Sequence, residues 1–245
     1  EASQDGKIIA GGMTLLPTMK QRLAAPSDLI DIAGIQQLNG ITEVKGGVNI
    51  GAVTTHASVA RSALIAERLP ALSELAAHIG DPAVRNRGTI GGSIANADPA
   101  ADYPAAIVAL NAVIHTNQRT IAGDEFFVDL FETALQENEL VTSVTFPVPD
   151  KAHYMKFPNP ASRYAIVGVM VAVFKDEVRV AVTGAGSSVF RVGEMETALQ
   201  NAFTPDAIES IKYPDEELNS DIHASAEYLA HLITVMARRA VTALT

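Results

Sequence analysis

Cysteine is absent from all 245 residues, and so is tryptophan. Without a thiol there is no disulfide, no thiolate nucleophile, no zinc–thiolate site and no cysteine-ligated iron–sulfur cluster. A chain built without disulfides fits a cytoplasmic location. Aromatic residues make up only 5% of the sequence, so Ala, Val, Ile and Leu must fill the core. Positive charge is scarce as well: 18 Lys and Arg face 28 Asp and Glu, a formal net charge of −10. That leaves no basic face for a nucleic-acid backbone. Any phosphate ligand must then be held by local dipoles and a few placed cations. No stretch reaches the roughly 18 apolar residues of a membrane span, and no signal peptide is expected. The first residue is not Met and a strand follows almost at once, so further N-terminal residues are expected before Glu1.

What is present is the composition of an ordinary globular protein, 48% hydrophobic and 19% charged, long enough for one large or two small domains. Lys7 to Ala10 reads as a short strand broken by Gly11-Gly12. Leu15, Leu16, Met19 and Leu23 then recur at helical spacing, with Pro17 tolerable only in the first turn. Leu29 to Ile32 and Val48 to Val53 read as strands; Ala57 to Arg68 and Pro70 to Ile79 read as helices, the second ending at Gly80. From Asp81 to Pro104 glycines, asparagines and prolines leave little periodicity, and a long irregular segment in mid-domain is usually functional. A helix from Ala105, a hairpin over 113–122 and a strand over 140–146 follow. Pro147 and Pro149 make the best boundary, dividing the chain at 1–149 and 150–245. Beyond them the pattern becomes antiparallel over 154–157, 165–174 and 178–183. Thr204-Pro205-Asp206 reads as a helix start. The last helix sets Leu229, Leu232, Ile233, Met236 and Ala240 against Glu227, His231, Thr234 and Arg238.

Two glycine turns carry the chemistry. In Ala10-Gly11-Gly12-Met13-Thr14, between strand and helix, glycines let backbone N–H groups converge without Cβ obstruction. Standing alone it reads as a tight strand-to-helix connection. In Thr89-Ile90-Gly91-Gly92-Ser93, glycines, flanking hydroxyls, Asn96 and the carboxylates of Asp98 and Asp102 gather in one segment. Two amide-lined turns, with hydroxyls of Thr14, Thr89 and Ser93 as further donors, suit the two phosphates of a dinucleotide.

At these residues the sequence resembles the FAD-binding medium subunit of molybdenum hydroxylases, the carbon monoxide dehydrogenase and xanthine dehydrogenase family. The resemblance rests on Ala10-Gly11-Gly12 with Leu15-Leu16 and Met19-Lys20, on Ile79-Gly80-Asp81-Pro82, and on Val84-Arg85-Asn86-Arg87-Gly88 running into Thr89 to Ser93. Asn96 to Ala105, Tyr154 with Lys156-Phe157, Pro160 to Arg163 and Val178 to Gly186 extend it to nearly the whole chain. It implies an α+β fold: a two-part FAD-binding domain of the PCMH, vanillyl-alcohol-oxidase-like type over 1–149. A smaller α+β domain over 150–245, with a three-stranded antiparallel sheet and helices, completes it.

The resemblance further implies that Ile8, Ile9, Ala10, Gly11, Gly12, Met13, Thr14 and Leu15 grip the FAD pyrophosphate together with Thr89, Ile90, Gly91, Gly92 and Ser93. Asn96, Asp98, Asp102 and Lys156 match further contacts, and Ile79 and Val141 match apolar or backbone ones. Asp98 reads equally as a loop cap. Asp102 would accept from ribityl or ribose hydroxyls, and Lys156 would stabilise the charge of reduced flavin. Several relatives carry His after the paired glycines; Met13 stands here, so a non-covalent FAD is expected. The molybdenum cofactor and two [2Fe–2S] clusters would belong to a large and a small partner subunit, in a dimer of heterotrimers. This chain would take electrons from those clusters and pass them to NAD, a quinone or oxygen. No catalytic base and no metal ligand are expected in it.

Competing readings are a self-contained FAD-dependent oxidase or reductase and a non-enzymatic nucleotide-binding module. A Rossmann turn at Thr183 to Val189 fails, because Val189 stands where the third glycine belongs. Arg85 and Arg87 suit FAD phosphate, a partner subunit or solvent.

Overall fold

The computed structural model describes residues 5–222 and 224–245, and its first unit follows the sequence pattern closely. Lys7–Ile9 pairs in parallel with Leu29–Asp31, and helix Leu15–Lys20 lies between them with Pro17 in its first turn. This unit buries little of its own: Ile32, Leu38 and Val53 form a separate small cluster with Ala10 and Leu140 packed on it.

Five antiparallel strands follow in the order Ile41–Val44, Gly47–Gly51, Val141–Pro147, Val113–Thr116, Thr120–Ala122. The central strand comes from far along the chain and pairs on both sides, Ile50 with Val144 and Ile114 with the same Val144. Val144 and Phe146 are fully buried in the larger core, with Val48, Ile50 and Ile114.

The second sheet is a meander of Lys151–Pro158, Ala165–Val173, Val178–Thr183 and Phe190–Arg191. Three strands are expected from the sequence; the fourth is two residues long, too short to show a period. Ala165–Val173 is apolar at every position, and a strand apolar on both sides must be covered on both. Met170 and Ala172, with Ala181 and Tyr154, face the larger core. Val167, Val169 and Val171, with Val180 and Val182, face a second core closed by helix Ala226–Thr242. Helix Tyr103–Ala109 is buried at all seven positions because it lies against this sheet while its other sides meet the first core.

Four local expectations are corrected. Asp81 to Pro104 is not irregular: it holds helices Pro82–Arg87 and Ile90–Asn96. Asp81 Oδ1 accepts from the Val84 amide and Thr89 Oγ1 from the Gly92 amide, so capping outweighs the helix-breaking glycines. The helix read over 57–68 breaks at Ser62 into His56–Arg61 and Ala63–Arg68, with Ser62 capping the second. Thr204 makes no side-chain cap, and only a 3-10 turn, Pro205–Ile208, follows it. Thr234 is buried, its hydroxyl donating to the Ile211 carbonyl at 2.7 Å. Among the described residues no helix is long and apolar enough to cross a membrane.

Candidate functional site

A cavity of about 720 Å3 opens between the first strand–glycine–helix unit, helix Ile90–Asn96 and the start of strand Val141–Pro147. That is within the ~300–1,000 Å3 of small-molecule sites. Every residue nominated from the sequence lines it except Ile90 and Lys156. Ile90 is fully buried, its side chain a core contact.

The glycine turn at 11–12 sits where it does because glycine permits it. Gly12 has φ +72°, in the left-handed region that other residues avoid. Gly11 lies directly on the Arg87 carbonyl and 2.9 Å, measured from where its Cβ would be, from Gly88 Cα. No amide from Gly11 to Thr14 has an acceptor among the described residues, so four consecutive N–H donors border the cavity. Among the described residues the side chains of Thr14, Ser93 and Asn96 also have no hydrogen-bond partner.

The second glycine turn is built differently from the amide-lined loop the sequence suggests. Ile90 N–H donates to Thr54 O at 3.1 Å, Gly91 N–H to Ala52 O at 2.8 Å, and Ser93 N–H to Thr89 O at 3.0 Å. Gly92 N–H donates to Thr89 Oγ1 at 3.1 Å. These amides are spent on the fold, and this turn offers the cavity side chains instead. A Cβ on Gly91 would stand 2.6 Å from Ala52 Cβ, so this glycine answers to core packing.

Asp102 lines the cavity floor at 4% exposure. Tyr154 Oη donates to it at 2.6 Å and Lys156 Nζ at 2.9 Å. Gly168, register partner of Lys156, leaves the space that the Tyr154 hydroxyl fills. Burial pushes the Asp102 carboxyl above its ordinary range, against the opposing pull of Lys156 and the Tyr154 hydrogen bond. Tyr154 is held well above the usual phenol range by burial and by the Asp102 charge, so it stays a donor. Lys156 also reaches His78 O at 3.2 Å and faces a neighbouring cavity, behind the one that Asp102 lines. Asp98 lines the cavity and also caps the loop, accepting from the Ala100 amide at 2.9 Å; burial raises its pKa.

The sequence reading missed His56, Gly88, Glu139 and Tyr164, all of which line the cavity. Glu139 is fixed by Arg119 at 3.0 Å, with Thr116 and the Gln136 amide, which together hold its pKa down at about 2. His56 sits behind Gly88: a Cβ there would meet its Nε2 at 2.5 Å. Its Nδ1 is buried with no partner among the described residues, and its ring packs on Tyr103 at 5.3 Å. No motif spacing marks it; only the fold carries it to the glycines.

Burial, then the charge of Arg85, lowers the His56 pKa from 6.5 to about 4. The folded chain thus binds fewer protons at this site than the unfolded chain between those values. His56 therefore costs nothing above pH 6.5 and costs stability progressively as pH falls toward 4. The expected loss is on the order of 3 kcal/mol. Urea titrations of wild type and His56→Gln at pH 7 and pH 4 check this, the variant having the flatter pH profile; equal slopes would refute it.

A family model described as the FAD binding domain in molybdopterin dehydrogenase matches residues 1–149. The chain is 36% identical over 263 residues to the carbon monoxide dehydrogenase medium chain of Hydrogenophaga pseudoflava, covering 99% of this chain and 90% of that one. It is 35% identical over 252 residues to the nicotine 6-hydroxylase medium subunit of Paenarthrobacter nicotinovorans, covering 97% and 89%. A solved carbon monoxide dehydrogenase from Hydrogenophaga pseudoflava, lacking the Mo-pyranopterin moiety of its cofactor, has a similar chain. The TM-score is 0.89 at 36% identity, over 98% of this chain and 90% of that one.

Proposed function

Because the chain belongs to the FAD-binding medium subunits of the molybdenum hydroxylases, we propose that it is the electron-transfer subunit of a molybdopterin-dependent dehydrogenase. Residues 1–149 carry FAD and residues 150–245 complete the subunit, in the two-part PCMH-type arrangement. The observation that carries this reading is the row of four unpaired amides from Gly11 to Thr14 beside a cavity of dinucleotide size. An anionic diphosphate satisfies such donors where a chain of net charge −10 has no general positive field to offer.

The residues fit the group. Gly11 to Thr14 hold the diphosphate through backbone N–H, with Thr14 and Ser93 hydroxyls and the Asn96 amide as added donors. Ile79 and Val141 supply apolar surface, and Asp102, oriented by Tyr154 and Lys156, is the acceptor in the cavity floor. Met13 leaves no imidazole to form a histidyl link, so the cofactor is non-covalent. FAD, when bound, supplies reversible two-electron redox chemistry. The chain's own work is to bind, orient and shield that group. On this reading a small partner subunit would hold the iron–sulfur clusters, a large one would hold the molybdenum cofactor, and the electron acceptor would be NAD, a quinone or oxygen.

Flavin absorption bands in the purified chain, lost on acid precipitation and recovered in the supernatant, are the expected result. A colourless chain that does not take up added FAD would refute the reading. Purification from the native source should bring down an iron–sulfur protein and a molybdenum protein. A lone chain that turns over an organic substrate would favour a self-contained oxidase instead.

A further inference from the structure

A second cavity, about 540 Å3, lies behind the first and shares Gly80 and Arg163 with it. Lys156 lines it, while its partner Asp102 lines the first, so one ion pair forms part of the partition. Two guanidinium groups in its lining converge on a single carbonyl. Arg85 Nη1 donates to Gly80 O at 3.0 Å and to Ile79 O at 2.9 Å; Arg163 Nη1 donates to Gly80 O at 3.3 Å.

Both partners are neutral carbonyls. Neither arginine has a carboxylate within ion-pair distance among the described residues, and in both the Nε–H and Nη2–H groups are left unused. Like charges brought together with no ion-paired carboxylate repel, and this is a chain with acidic residues in excess. Three acids lie nearby, and none forms an ion pair with either arginine. Asp81 feels both guanidinium charges, but its Oδ1 caps the Val84 amide. Glu74 lies 3.9 Å from His153 Nδ1, and Asp102 is held by Lys156 and Tyr154. Arg163 has φ +64°, an unfavourable conformation for a residue with a side chain. An unused planar guanidinium edge is shaped for the paired oxygens of a phosphate or carboxylate, and two such edges suit a diphosphate.

The geometry points to an oxyanion-binding site at Arg85 and Arg163 that docks the charged group of the electron acceptor beside the flavin cavity. This rests on the FAD reading and narrows its open end, favouring a phosphate-bearing acceptor over an uncharged quinone. The two spaces adjoin: Gly80 and Arg163 line both, and Ile79, next to Gly80, lines the first.

Calorimetric titration of the FAD-saturated full chain with inorganic pyrophosphate tests the site. Saturating with FAD first keeps pyrophosphate out of the Gly11 to Thr14 loop. Failure of the FAD reading shows beforehand, as missing flavin bands. Wild type should bind one equivalent. Arg163→Gln and Arg85→Gln should each weaken binding by roughly ten- to a hundredfold, the scale of one lost hydrogen bond to a charged group. Flavin retention in at least one variant separates this from misfolding. No binding to the FAD-saturated wild type, or unchanged affinity in both variants, overturns the site. NAD should displace the pyrophosphate if the site docks an acceptor's diphosphate. Bound pyrophosphate that NAD leaves in place, marking a site for free phosphate only, overturns the docking role.

Discussion

Replacing Gly11 by valine is expected to abolish FAD retention while leaving the main core intact. The Cβ would be driven into the Arg87 carbonyl and against Gly88 Cα, so the first loop must lift away from the helix Pro82–Arg87. Lifting it scatters the four amides from Gly11 to Thr14 that border the cavity. The strand–helix unit carrying that loop rests on only a small apolar cluster, so its displacement costs the rest of the fold little. The expected result is a loss of FAD affinity of more than roughly a hundredfold with a stability change below about 1 kcal/mol. FAD fluorescence titration and urea unfolding of the ligand-free chain read the two quantities separately.

Gly91→Val makes the contrast. Its Cβ meets Ala52 Cβ at 2.6 Å and Ala52 O at 2.7 Å, inside the larger core and against the carbonyl that accepts the Gly91 amide. Overpacking there should lower stability by about 1–3 kcal/mol or more, and FAD affinity with it. Similar behaviour of the two glycine variants would contradict the division of roles between the turns.

Asp102→Ala is the second large effect. It leaves the Lys156 ammonium, on a side chain 8% exposed, without its counter-charge and the Tyr154 hydroxyl without its acceptor. Removing one member of a buried pair costs about 3–5 kcal/mol, because the stranded charge is not returned to water. Adding Lys156→Met to Asp102→Ala should recover part of that loss, since two apolar groups replace one unpaired charge. Urea unfolding of the single and double variants checks this. A single variant within about 1 kcal/mol of wild type would mean that the pair is solvated in solution.

The first strand–glycine–helix unit and the C-terminal helix were legible because their signals are local. Gly11-Gly12 between a strand and a 3.6-period run has few other uses, and Ala226–Thr242 carries its apolar face in plain periodicity. The Thr89–Ser93 turn was legible as part of a cavity wall but not as a structure. Its glycine content reads as loop, whereas the cap at Thr89 makes it the first turn of helix Ile90–Asn96, whose leading amides are consumed.

By itself the sequence determined the family, the class of cofactor and a set of candidate residues nearly all of which line one cavity, because those reside in short motifs with fixed spacing. Tertiary structure alone decided which glycine turn presents free amides, since that depends on whether Ala52 and Thr54 accept them. It alone placed His56 behind Gly88 and set Arg85 beside Arg163, 78 positions apart in the chain but both on the carbonyl of Gly80. Such pairings have no period or motif to announce them. They exist only once the strands have brought distant backbone into contact.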